Sequence, residues 1–220
     1  MTDQPSPDAR RGRRPGLFVA VEGGDGAGKS TQADALAGWL REQGHTVLRT
    51  REPGGTALGR SLRELVLHGE DGSVTPRAEA LLFAADRAHH VATVVRPALE
   101  AGEVVITDRY LDSSVAYQGA ARELGHDEVR DLSLWAVEGL LPDLTVLLDV
   151  SAEQGRRRRG LVHDRVEREG DDFHDRVREG FLALAERAPE RYFVLDAQAG
   201  RDEIGAAVRE RVARLLEQQR

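Results

Sequence analysis

Cysteine and asparagine are absent from this chain of 220 residues, and lysine occurs once, at Lys29. Without cysteine there is no disulfide, no thiolate metal site and no thiol nucleophile. Without asparagine or a second lysine there is no Asn-Lys-x-Asp reader of guanine, which removes the guanine-specific GTPases. No apolar run approaches the length of a membrane span, and no apolar segment near the N-terminus suits a signal peptide. The chain is therefore expected in the cytoplasm, with no membrane partner. A net charge of −7 gives no reason to expect nucleic acid as a partner either. What is present suits one domain: 40% of the residues are hydrophobic, enough for one sizeable core. Residues 1–15 (MTDQPSPDARRGRRP) hold almost nothing apolar and are expected to form a disordered basic extension. The single domain is expected over 16–220.

The lone lysine lies in Gly23-Gly24-Asp25-Gly26-Ala27-Gly28-Lys29-Ser30, which fits the phosphate-binding pattern G-x-x-x-x-G-K-[ST]. The apolar run Leu17–Val21 ahead of it reads as a buried strand. Leu36, Trp39 and Leu40 behind it fall at helical spacing over Ser30–Gln43. Strand, glycine loop and helix are the context this pattern needs. Glycines let backbone N–H groups converge on phosphate oxygens beside the positive end of a helix dipole. Gly23 to Thr31 is thus the expected ATP-binding segment. Lys29 would reach the β- and γ-phosphates, and the Ser30 hydroxyl would ligate Mg²⁺.

Five apolar runs end in a polar residue: Leu17–Glu22, Thr46–Arg51, Val104–Asp108, Leu144–Asp149 and Tyr192–Asp196. Helical patterns fill the gaps. Alternating strands and helices predict an α/β fold with a five-stranded parallel sheet flanked by helices. Ligands in such folds gather at the carboxyl ends of the strands. Asp108, ending the third run, is the candidate for organising Mg²⁺ through water. Asp149 reads more readily as a cap for the next helix. Thr75-Pro76 predicts a helix start, with Glu79 completing a capping box and Pro97 a kink towards the far end. Ile204, Val208, Val212 and Leu215 form one stripe of a helix over Arg201–Gln219.

Three more segments narrow the class. They are Thr50-Arg51-Glu52-Pro53-Gly54-Gly55, Phe83-Ala84-Ala85-Asp86-Arg87, and Asp108-Arg109-Tyr110-Leu111-Asp112-Ser113-Ser114-Val115-Ala116-Tyr117-Gln118. With the glycine loop, with Pro142-Asp143-Leu144-Thr145 and with Asp164-Arg165-Val166-Glu167, the chain closely resembles the thymidylate kinase family from residue 17 to about 197. That resemblance implies the P-loop nucleoside monophosphate kinase fold, ATP and dTMP as substrates, Mg²⁺, and a homodimer formed through helices beside the sheet. It also implies roles. Phe83 stacks on thymine and Arg87 bonds its edge, a pairing that helical i, i+4 spacing permits. Arg51 and Arg109 hold the dTMP phosphate. Tyr117 packs on the deoxyribose, Asp25 faces the acceptor sugar, and Pro53, Ser114 and Gln118 complete the pocket. Lys29, Asp108, Arg109 and Arg165 are the candidate catalytic residues.

Gly155-Arg156-Arg157-Arg158-Arg159-Gly160 is a dense positive run where such kinases have a lid, here expected over about 154–168. The phosphate loop carries no arginine. The resemblance is therefore to the bacterial type, whose lid supplies the catalytic arginine from among Arg156, Arg157, Arg158, Arg159 and Arg165. Two other readings stand beside this one: a kinase for a different small nucleotide or nucleoside, and a P-loop binding protein without turnover.

Overall fold

The structure, a computed structural model, describes residues 16–69, 73–158 and 164–219. The extension expected at 1–15, and Arg159 of the lid run, lie outside the described residues. Strand β1 (Phe18–Gly23) runs into the glycine loop and helix α1 (Lys29–Glu42). Strand β2 (Val47–Arg51) is followed by α2 (Ala57–Leu67) and α3 (Pro76–His90), which continues through a π-helical turn at Val91–Val95 into α4 (Arg96–Glu100). Strand β3 (Val104–Asp108) leads into α5 (Leu111–Ser114), a π-helical stretch at Val115–Ala121, and α6 (His126–Ala136). Strand β4 (Leu144–Asp149) precedes α7 (Ala152–Arg158) and α8 (Asp171–Arg187), and β5 (Tyr192–Asp196) precedes α9 (Arg201–Gln219). The five strands pair in parallel in the order β2-β3-β1-β4-β5. All five expected strands are present, with ends within one residue of the expected ones.

Parallel sheets bury both faces, and side chains alternate along each strand. Phe18 and Ala20 of β1 enter one core, with Val95, Tyr110 and Phe181. Val19 and Val21 enter the other, with Leu36, Leu40, Val208 and Val212. The stripe expected on α9 is thus what docks that helix beside α1. The capping box expected at Thr75 does not form. Thr75 holds the N-cap position and Pro76 opens α3, but the Thr75 side chain makes no capping bond. Glu79 turns inward instead, fully buried, and accepts from Gln118 and Arg165. Two strong donors in the interior outcompete a backbone N–H at the surface. At Pro97, where a kink was expected, the helix continues. The widened π turn lies directly ahead of it, where a missing N–H removes one rung of the ladder.

The chain leaves β1 towards β2, on one side of the sheet, and leaves β3 towards β4, on the other. This reversal opens a crevice beyond the carboxyl ends of β1 and β3. Val21 and Asp108 are register partners there, so the glycine loop and the Asp108-Arg109 turn emerge side by side. Glu22 fastens the turn. Its carboxylate accepts from Tyr110 N at 2.8 Å, Ser113 N at 3.2 Å and Ser113 Oγ at 2.6 Å. Burial, and then the charge of Asp112, push the Glu22 carboxyl up from 4.5 to about 7. Between those values the folded chain holds a proton that the unfolded chain has lost, so Glu22 lowers stability as pH rises from 4.5 to about 7. Glu22→Gln should flatten the pH dependence of the melting temperature over that window. An unchanged slope would count against this assignment.

Candidate active site

The glycine loop works because its backbone can go where a side chain cannot. Gly26 has φ +80°, and a Cβ there would stand 2.4 Å from the carbonyl oxygen of Gly155 in α7. A Cβ on Gly155 would likewise stand 2.4 Å from the carbonyl oxygen of Asp25. Two glycines therefore let α7 lie directly on the loop. Gly28 is left-handed at φ 92°, and α1 begins at the next residue. Lys29 Nζ folds back to donate to the carbonyl of Gly24 at 2.7 Å. The Ser30 hydroxyl donates to Asp108 Oδ2, which joins the loop to the end of β3.

This loop borders a cleft of about 710 Å³ lined by Asp25, Gly26, Gly28, Lys29, Ser30 and Thr31 together with Arg49, Arg51, Arg63, Asp108 and Arg109. Gly23 and Gly24 are not among its lining residues, and Ala27 is part of the core with Leu36 and Leu40 of α1. A second, smaller cleft of about 130 Å³ adjoins it. Of the residues expected to hold the acceptor, Asp25, Pro53, Phe83, Arg87, Arg109, Ser114, Tyr117 and Gln118 all line this smaller cleft. Arg51 lines the larger one. Asp25, Glu52, Arg63, Arg109 and Glu167 line both, and so mark the border.

At that border Arg109 forms an ion pair with Asp25, whose other carboxylate oxygen accepts from the Tyr117 hydroxyl at 2.8 Å. Arg109 also donates to Tyr117 Oη at 3.0 Å, to Ser113 Oγ at 3.0 Å and to the Gly23 carbonyl at 3.2 Å. Its backbone is left-handed at φ 68°, a conformation costly for a side chain with a Cβ. Thr107 Oγ1, bonded to the Arg109 carbonyl at 2.8 Å, and Val21 O, bonded to its N–H at 3.0 Å, hold it there. Burial raises the pKa of the Asp25 carboxyl, but Arg109, Lys29 and the Tyr117 hydroxyl outweigh it and hold the group well below the usual carboxylate range. Deeper in the smaller cleft, Arg87 donates from Nε to Glu52 at 2.7 Å and from Nη2 to Ser114 Oγ at 3.1 Å and the Tyr110 carbonyl at 3.2 Å. Phe83 packs at the edge of the core on the same helix.

Of the lid arginines, the described Arg156, Arg157, Arg158 and Arg165 line neither cleft. Arg156 pairs with Asp171, Arg157 with Glu153, and Arg158 bonds the Ala197 carbonyl. Arg165 is buried against Glu79 and the Val66 carbonyl. Asp149 pairs through both oxygens with Arg178 rather than capping a helix. Conversely, Arg49 and Arg63 were not expected at the site. Arg49 reaches Asp108 at 3.6 Å. It stands two residues before Arg51, and residues i and i+2 of a strand share a face, so the position of Arg51 was a usable signal. Arg63 on α2 carries none. Burial, and then the like charge of Arg51, lower its pKa. An anion between these guanidinium groups relieves that repulsion.

A parallel sheet with a phosphate loop at its switch point, and two adjoining clefts walled by arginine, defines a P-loop kinase of the nucleoside monophosphate kinase class. The comparisons agree and go further. The thymidylate kinase family model matches residues 21–208. A thymidylate kinase of Clavibacter michiganensis subsp. michiganensis is 59% identical over 204 residues, covering 91% of this chain and 96% of that protein. One from Leifsonia xyli subsp. xyli is 62% identical over 199 residues, covering 89% and 94%. The crystal structure of a thymidylate kinase from Ehrlichia chaffeensis superposes with a TM-score of 0.75 at 30% identity, covering 90% of this chain and 98% of that one. This chain belongs to the thymidylate kinase family.

Burial, and then the charge of Arg109, lower the Lys29 ammonium from 10.5 to about 8. Phosphate beside it favours the charged form, so nucleotide binding takes up a proton once the free ammonium has lost it. Affinity for ADP should be level below about 8 and fall as pH rises past it, by calorimetry. A level affinity across that range would contradict this.

Proposed function

We propose that the chain transfers the γ-phosphoryl group of ATP to the 5′-phosphate of dTMP, giving dTDP and ADP. The observation that carries this reading is the pair of adjoining clefts. One holds Lys29 and the glycine loop, the other Phe83, Arg87 and Tyr117, and they meet at Asp25 and Arg109. In this reading ATP lies in the larger cleft, with its β- and γ-phosphates on the loop and Lys29. The base of dTMP stacks on Phe83 with Arg87 at its edge, and Tyr117 packs on the sugar. Arg51, Arg63 and Arg109 hold the acceptor phosphate at the border. No general base is needed, because the second pKa of a phosphate monoester, ~6, leaves it mostly dianionic at neutral pH. Catalysis then reduces to alignment and charge neutralisation by fixed cations.

Mg²⁺ fits the same reading. Ser30 Oγ and Asp108 Oδ2 meet at the cleft, an oxygen pair of the kind a hard cation takes. Among the described residues no group of three His, Cys, Asp or Glu side chains could hold a metal alone, which suits an ion held partly by phosphate. Bound there, Mg²⁺ would supply neutralising charge between the β- and γ-phosphates. Residues 16–220 act as one domain, with the lid about 154–168. On closure Arg165 exchanges Glu79 for the ATP phosphates, with help from the arginine run. A cytoplasmic location follows from free nucleotides as substrates, and no helix of the described residues is long and apolar enough to cross a membrane.

An ADP-release assay over dTMP, dUMP, UMP, CMP, AMP and GMP tests the substrate directly. dTMP should be the best acceptor, and another monophosphate outperforming it would sink the reading. The homodimer is supported by large apolar side chains left exposed on α2, α3 and α6: Leu65, Leu81 and Trp135, the last 79% exposed. Trp135→Glu should convert a dimer to a monomer by light scattering. A monomeric unmodified protein would contradict the dimer.

A further inference from the structure

We propose that Glu52 and His90 are a positioning pair for Arg87, fixing and neutralising its guanidinium so that the acceptor cleft receives an uncharged base. The proposal rests on the reading of Arg87 as the base contact. Glu52 is 4% exposed, Arg87 2% and His90 0%. One Glu52 oxygen accepts from Arg87 Nε at 2.7 Å, and the other lies 2.8 Å from His90 Nδ1. A carboxylate can only accept, so Nδ1 is the donor. His90 Nε2 is 2.7 Å from Thr50 Oγ1. The chain of contacts thus runs from β2 to α3 and into the cleft. Sequence spacing builds it. Thr50 and Glu52 are two apart at the end of a strand, and Arg87 and His90 are three apart on one helix face. Gly55 lets the loop lie flat on the imidazole, since a Cβ there would stand 2.6 Å from Nε2.

Two consequences follow for the ligand. With Nε taken by Glu52, Nη2 by Ser114 and the Tyr110 carbonyl, and Nη1 3.5 Å from Ser133 Oγ, the plane of the guanidinium is set where it lines the smaller cleft. Moreover, a bare buried guanidinium attracts anions. Paired with Glu52, Arg87 presents a donor without net charge, and the phosphate is left to Arg51 and Arg63, whose like charges face each other. Glu52 therefore sorts the two ends of the acceptor.

The test measures dTMP and ADP dissociation constants by calorimetry for Glu52→Gln, Arg87→Ala and the double variant. Glu52→Gln should weaken dTMP binding by about tenfold and leave ADP binding unchanged, and it should add no further loss in the Arg87→Ala background. If Arg87→Ala alone leaves dTMP affinity intact, the reading of Arg87 fails, and the proposal with it. If Arg87→Ala weakens dTMP binding but Glu52→Gln does not, or the two losses add in full, the proposal alone is overturned. Equal weakening of both nucleotides would mean a merely structural role and also overturn it. His90 gives a second route should Glu52→Gln fail to fold. His90→Ala should weaken dTMP selectively, and His90→Asn, whose amide nitrogen stands near the place of Nδ1, should restore most of the loss. Loss without rescue would remove His90 from the pair.

Discussion

A half-buried ion pair between Arg109 and Asp25 joins the two halves of the cleft. Arg109 stands at the end of β3 and Asp25 in the loop after β1, and only parallel pairing of those strands brings them together. The pair does more than hold the turn. Drawing both charges partly out of water is costly unless hydrogen bonds compensate. Here the Tyr117 and Ser113 hydroxyls and the Gly23 carbonyl add four hydrogen bonds to the pair. The strained backbone at Arg109 is held by Thr107 and Val21, and Glu22 fixes the residues that follow. The donor loop and the acceptor cleft therefore share one rigid border instead of two separate walls.

The same logic recurs across the site. Arg87 faces Glu52, Arg165 faces Glu79, and Ser30 faces Asp108. Arg87 and Arg165, to which the proposed reading gives the base and the ATP phosphates, are thus kept ordered by internal carboxylates. Fixed dipoles and charges cost no reorganisation at the moment of transfer, which is where electrostatic catalysis gains most. The exceptions are at the border, where Arg63 sits near the like charge of Arg51. That is where the reading places the acceptor phosphate, which would relieve the repulsion.

Much of this was legible in the sequence, for physical reasons. A fully buried parallel strand must be a short apolar run, and its carboxyl end must be polar where it meets the crevice, so all five strands could be read. The glycine loop was legible because close backbone approach, as between Gly26 and Gly155, leaves no other residue possible. That Phe83, Arg87 and Tyr117 share one cleft was legible through family resemblance, since Phe83 or Tyr117 alone could equally be core. What failed was anything decided by a partner far along the chain. Glu79 had the spacing of a helix cap, yet Arg165 and Gln118 turn it inward. Arg63 stands in none of the recognised motifs, and only the packing of its helix brings it to the cleft. The lid arginines are visible as charge, but their partners Asp171, Glu153 and Ala197 are set by tertiary packing.

The central claim is that donor and acceptor lie in adjoining clefts across the Arg109–Asp25 border, close enough for direct transfer. A single molecule carrying adenosine and thymidine joined through their 5′ ends by a polyphosphate chain measures this. If the clefts adjoin as described, each half raises the effective concentration of the other, and the linked compound binds at least about a hundredfold more tightly than ADP or dTMP alone. An affinity no better than that of the stronger single nucleotide would contradict the account.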